Sequence, residues 1–147
     1  REFFKKAELP LAGISFGGGA GGSRADYVTP AATVQLLRYM ARRSDFPVYE
    51  RALPILGVDG TLAKACSADS PAKGKVHAKT GTLVWGNLIS GQGLCTSKAL
   101  AGYLDTASGR RLAFAAFFNG VQLGEGVDTK RLGKELATIC ELVHAER

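Results

Sequence analysis

Lys75-Val-His-Ala-Lys-Thr-Gly-Thr-Leu83 is the stretch on which the fold turns. It follows Gly74 and alternates, with Val76, Ala78 and Thr80 on one face and His77 and Lys79 on the other, the period of two expected of a strand. Two further strand-like runs come after it, Lys98–Asp105 and Arg111–Asn119, joined by the hairpin turn Thr106-Ala-Ser-Gly109. Between the first run and the second, Val84–Leu94 contains Gly and Asn and reads as a loop. Upstream the pattern is helical. Arg1–Leu9 reads as a short helix closed by Pro10. Phe16-Gly-Gly-Gly-Ala-Gly-Gly-Ser23 reads as a linker, or as a loop whose backbone passes close to something. Thr29-Pro30 opens a helix that runs to about Arg43, with Thr as N-cap and Pro at the first helical position. Ser44–Pro54 reads as a turn and a short helix, and Thr61–Cys66 as another short helix. Downstream, Asp128 or Thr129 caps a last helix that carries Leu132, Leu136, Ile139 and Val143 along one apolar stripe. Helices, three antiparallel strands and a long final helix make an α+β pattern, an antiparallel sheet packed against helices. Three strands are few, so the sheet is open to completion by strands from elsewhere.

The 147 residues suit one domain or part of one. With 46% hydrophobic and 22% charged residues the chain is too apolar to be intrinsically disordered. No apolar run approaches the ~18–20 residues of a membrane span. The net charge of +6 permits an anionic partner. The positive residues are scattered without an interleaved aromatic row, so no nucleic-acid site is expected. Cys66, Cys95 and Cys140 lie far apart, no C-x-x-C pair occurs and there are two histidines, so no metal site is expected either. The first residue is Arg1 rather than Met and no signal peptide precedes it, so the chain reads as a processed or partial product.

Lys79-Thr80-Gly81-Thr82 is the sharpest chemical feature. Its bland reading is an exposed strand with an ordinary lysine. Its functional reading is a strand edge that takes an extended peptide ending in a carboxylate. Lys79 then supplies a point charge, Thr80 and Thr82 supply hydroxyl donors, and Gly81 leaves room for a ligand backbone. Ser23, after the glycine run, reads as part of a turn and capping cluster, or else as a hydroxyl presented to a cleft. Ser70-Pro-Ala-Lys73 has the S-x-x-K spacing of a serine–lysine nucleophile, a pattern expected on the order of once by chance in such a chain. Gly74 follows it at once, leaving no helix to set Lys73 one turn from Ser70. The glycine run lacks G-K-[ST] and is not a phosphate loop. His77 shares a face with Lys79 but reads as a surface or core histidine, His144 as exposed, and Trp85 and Asn87 as loop anchors or a cleft wall.

In order along the chain stand Gly19-Ala-Gly-Gly-Ser-Arg-Ala-Asp-Tyr-Val-Thr-Pro30, Leu53-Pro-Ile-Leu-Gly-Val-Asp-Gly-Thr-Leu62, Gly74-Lys-Val-His-Ala-Lys-Thr-Gly-Thr-Leu83 and Ala101-Gly-Tyr-Leu-Asp-Thr-Ala-Ser-Gly-Arg-Arg-Leu-Ala-Phe114. Taken together they resemble the C-terminal part of the D-Ala-D-Ala carboxypeptidase/endopeptidase family, the low-molecular-mass class C penicillin-binding proteins. The resemblance implies part of a β-lactamase/DD-peptidase-like fold. It also implies a serine-type hydrolase acting on peptidoglycan D-Ala-D-Ala stem peptides through an acyl-enzyme that β-lactams stall. The implied setting is periplasmic or otherwise extracytoplasmic, with no metal or organic cofactor. Family members use S-x-x-K, S-x-N and K-T-G. By resemblance Lys79-Thr80-Gly81 is the third of these, with Lys79 catalytic and Thr80, Gly81 and Thr82 substrate-binding.

Gly19–Arg24 matches a separate G-S-G-L-S-R segment, which makes Ser23 a residue that shapes a loop near the cleft rather than the middle catalytic serine. Ala20 and Gly22 depart from that segment, no S-x-N occurs, and Val84–Ser97 is longer than expected. Residues 1–147 are therefore expected to be the C-terminal part of the domain, with the nucleophile and middle serine outside them. Such a piece is expected to be inactive alone, and to dimerise or pair with the missing N-terminal part. The alternative is a non-catalytic module of the same fold that binds peptidoglycan or a protein.

Overall fold

The structure, a computed structural model, describes residues 2–146. The N-terminal helix α1 spans Glu2–Lys6, shorter than its expected extent to Leu9, because Glu8 turns into the left-handed region (φ 53°); Arg1 lies outside the described residues. A 3₁₀ turn at Leu11–Gly13 leads to β1 (Ile14–Ser15), which pairs antiparallel with β2 (Tyr27–Val28) and so closes the base of the glycine-rich loop. Helix α2 (Pro30–Ala41) starts as expected: Thr29 caps it, its side chain accepting from Ala32 N at 3.2 Å. Helix α3 (Phe46–Arg51) follows. The short helix expected at Thr61–Cys66 is instead a single 3₁₀ turn, Gly60–Leu62, followed by turns.

The main sheet is the expected antiparallel meander of β3 (Val76–Gly86), β4 (Gly93–Asp105) and β5 (Arg111–Gln122), with β4 central. Its strands are longer than expected. The loop placed at Val84–Leu94 shrinks to six residues, 87–92, because pairing continues through Trp85↔Leu94 and Gly86↔Gly93. A register shift at Leu83/Val84 leaves Thr96 as an extra residue on β4, and Thr96 Oγ1 donates to Leu83 O at 3.1 Å. Asn87 then forms the turn, its Oδ1 accepting from Ile89 N at 3.0 Å. At the other hairpin a bidentate Arg111–Asp105 pair (2.7 and 2.9 Å) fastens the strand ends, and the guanidinium holds the Asp105 carboxyl below its ordinary range.

Both faces of this sheet are covered. Helix α4 (Thr129–His144), capped by Asp128 through Arg131 N at 2.7 Å, packs on one face. There Leu56, Val76, Leu100, Leu104, Leu136 and Cys140 join the core, and burial pushes the Cys140 thiol up to about 12. Helix α2 covers the other face, and Tyr103 Oη donates to Leu37 O at 2.8 Å. The apolar stripe of α4 is rolled from its expected position. Leu132, Leu136, Ala137, Cys140 and His144 are buried, whereas Ile139 is 43% exposed. The small Ala137 and Cys140 side chains let the helix lie close on the sheet. His144, expected at the surface, is buried: its Nδ1 bonds Asp105 O at 2.5 Å and its carbonyl accepts from Ala107 N at 2.7 Å, tying α4 to the β4–β5 turn. All three cysteines are free thiols. Among the described residues no helix is long and apolar enough to cross a membrane.

Candidate functional site

Strand β3 is an edge strand whose outer edge changes character midway. Its first half is covered by the chain before it: Leu56 N donates to Val76 O and Ala78 N donates to Pro54 O, both at 2.9 Å. These bonds show that the even-numbered residues of β3 turn their backbone groups away from β4. Thr80 and Thr82 are next in that series, and neither has a backbone partner on the outer edge among the described residues. The covering segment stops where Lys79-Thr80-Gly81-Thr82 begins. A run of N–H and C=O groups without backbone partners is left beside a groove.

The side chains divide about that edge. Thr80 and Thr82 face the α4 side, where they line a groove of about 680 Å³ with Thr61, Lys98 and the first turns of α4. Thr80 Oγ1 donates to Thr61 Oγ1 at 3.0 Å, and Lys98 Nζ donates to Thr82 Oγ1 at 2.7 Å. Lys79 leaves the strand on the opposite face, but its ammonium curls back onto Thr80 O at 2.8 Å. A cation therefore stands on each side of the open edge. Gly81 is exposed, and a Cβ added there would meet only Ala99 Cβ, at 3.5 Å. The protein's own packing does not require glycine at this position, so the missing side chain clears the outer surface.

Ser23 is half-buried and held within its loop: its Oγ accepts from Ala25 N at 3.1 Å and its N–H donates to Asp26 Oδ2 at 3.2 Å. The Arg24 guanidinium stacks 4.6 Å over the Trp85 ring, which brings the glycine-rich loop to the far end of β3. His77 faces Glu50, 4.0 Å away, in a cluster with Arg111. Ser70 lies away from this edge. It is buried, its Oγ donates to Glu141 Oε1, and Ser70–Gly74 is a chain of turns rather than a helix. Sequence reasoning missed Thr61 and Lys98. Lys98 carried a usable signal, a cation at the start of a strand destined to pair with β3, but the uncertain register of that pairing hid its place opposite Thr82.

The model of the D-Ala-D-Ala carboxypeptidase 3 (S13) family matches residues 1–140. D-alanyl-D-alanine carboxypeptidase DacB of Haemophilus influenzae is 35% identical over 126 residues, covering 82% of this chain and 24% of that protein. The crystal structure of penicillin binding protein 4 (dacB) from Haemophilus influenzae superposes with a TM-score of 0.73 at 26% identity, over 98% of this chain and 30% of that one. Its complex with a novel β-lactam matches equally well, over 32% of its length. The chain thus spans under a third of the relatives it matches. The arrangement of antiparallel sheet and helices is the α+β DD-peptidase fold of those structures.

Proposed function

The chain belongs to the D-Ala-D-Ala carboxypeptidase 3 (S13) family, and from that premise we propose that it supplies the substrate-binding strand of a serine-type D-Ala-D-Ala carboxypeptidase. The observation that carries this reading is the outer edge of β3, covered up to Ala78 and open from Thr80 onward. An extended stem peptide adds to that edge as a further antiparallel strand. Its terminal carboxylate lies against the hydroxyls of Thr82 and Thr80, the Thr80 O–H turning from Thr61 to the ligand, while the Lys79 ammonium holds the charge of the reacting end. The attacking serine comes from outside these 147 residues. In support, Ser70 spends its hydroxyl on Glu141 and has no helix to present Lys73 to it. Exposed Ile139 and Leu142 on α4 and the far edge of β5, unpaired among the described residues, suit a chain that packs against more of the same domain. A peptidoglycan substrate places the whole protein outside the cytoplasm, and β-lactams, which mimic the D-Ala-D-Ala end, acylate the same serine.

Peptide mapping after labelling with benzylpenicillin tests the assignment. The expected adduct is on a serine outside residues 1–147, with Ser70→Ala labelled at the wild-type rate. An adduct on Ser70 overturns it. Absence of any adduct on the whole protein favours instead a non-catalytic module that binds stem peptides through the same edge.

A further inference from the structure

We propose that Lys98, on β4, is a second cation for the ligand carboxylate and sets the preference of this site for an anionic terminus. The inference rests on the reading of β3 as the peptide-binding edge. Lys98 stands directly opposite Thr82 in the β3–β4 register, and its Nζ is 2.7 Å from Thr82 Oγ1. An ammonium can only donate, so the Thr82 oxygen accepts from Lys98 and is left to aim its own O–H at a ligand. The hydroxyls of Thr80 and Thr82 and the Lys98 ammonium then converge on one side of the open edge.

Two features support a place for a charge here. The first is Gly133, inside α4: a Cβ there would lie 3.3 Å from Lys98 Cε and 3.7 Å from Nζ. Glycine costs a helix interior about 1 kcal/mol against alanine, and here its missing side chain makes room for the lysine. The second is the absence of a counter-charge. The groove contains Lys64, Lys98, Lys130 and Lys134 and no Asp or Glu, and Lys98 has no ion pair among the described residues. An ammonium whose hydrogen bond here is to a neutral hydroxyl gains a charge-assisted bond from a carboxylate beside it. Lys79 serves the same ligand from the other side of the edge, where its ammonium rests on Thr80 O.

The test compares acylation of the whole protein by benzylpenicillin with acylation by benzylpenicillin methyl ester, which lacks the charge. Lys98→Met is expected to slow the acid by about 10- to 100-fold, the worth of a charge-assisted hydrogen bond, and to leave the ester unchanged. Lys98→Arg is expected to restore most of the rate. In a Thr82→Val background Lys98→Met must still slow the acid, since a lysine that merely positions the threonine hydroxyl has nothing left to do there. If Lys98→Met slows acid and ester equally, or neither, the assignment of Lys98 falls while the role of β3 stands. If the wild-type protein is inert to benzylpenicillin, the carboxypeptidase reading falls and the assignment of Lys98 falls with it.

Discussion

Gly102→Ala is expected to destabilise the protein by about 3 kcal/mol, the upper end of the cost of overpacking a core. Gly102 sits in central strand β4 directly opposite Ala78. An added Cβ would lie 2.1 Å from His77 O, 2.6 Å from Ala78 Cα and 2.7 Å from Ala78 Cβ. Two of the three obstacles are backbone, which cannot swing aside like the end of a side chain, so β3 must move away from β4. The loss is read as a lower melting temperature than that of the wild type. The displacement also carries Lys79–Thr82 with it, because they continue the same strand. Gly81→Ala is the matched control. Its Cβ meets a single methyl at an ordinary 3.5 Å, so its melting temperature stays near wild type while the outer surface of the edge is narrowed. Thermal unfolding of the two variants checks this, and equal melting temperatures would refute the packing argument.

Lys79→Ala is expected to lower the second-order rate of benzylpenicillin acylation by about 100- to 1,000-fold, the scale seen when one group that stabilises developing charge is removed. Lys79 is exposed and among the described residues its ammonium bonds Thr80 O alone, so its loss touches the reaction and not the fold. Thr80→Val, which keeps the shape and removes the hydroxyl, is expected to cost about 10- to 100-fold. Both variants should melt like the wild type, which separates loss of binding from loss of structure. Stopped-flow acylation and peptidase assays on the whole protein give the two numbers. Unchanged rates for both variants would remove the K-T-G strand from the mechanism.

Much of this architecture can be read from local chemistry. Thr29-Pro30 and Asp128 mark helix starts because an N-cap needs only the residues beside it. The start of β3 is legible because Val76 and Ala78 are buried while His77 is only half-buried and Lys79 is exposed. What escaped depends on tertiary fit. The extension of the β3–β4 hairpin through Trp85 and Leu94 rests on cross-strand pairing, which overrode Gly86 and Gly93 as loop formers and left Asn87 to form the turn. The roll of α4 follows from Ala137 and Cys140 fitting the sheet more closely than Ile139 does, and hydropathy alone ranks those side chains the other way. For the site, the Lys79-Thr80-Gly81-Thr82 run was visible as sequence. Its division, with threonine hydroxyls on one side of the edge and the Lys79 stem on the other, follows from strand alternation. Lys98 and Thr61 reach the groove only through pairing and a turn many residues away in the chain.

A crystal structure of the whole protein acylated by benzylpenicillin tests the central claim most directly. The account predicts the ligand carboxylate within hydrogen-bonding distance of Thr80 and Thr82 Oγ1, the ligand amide paired to the open edge of β3, and the acyl bond on a serine outside these 147 residues. A bare β3 edge, or an acyl bond on Ser70, would contradict it.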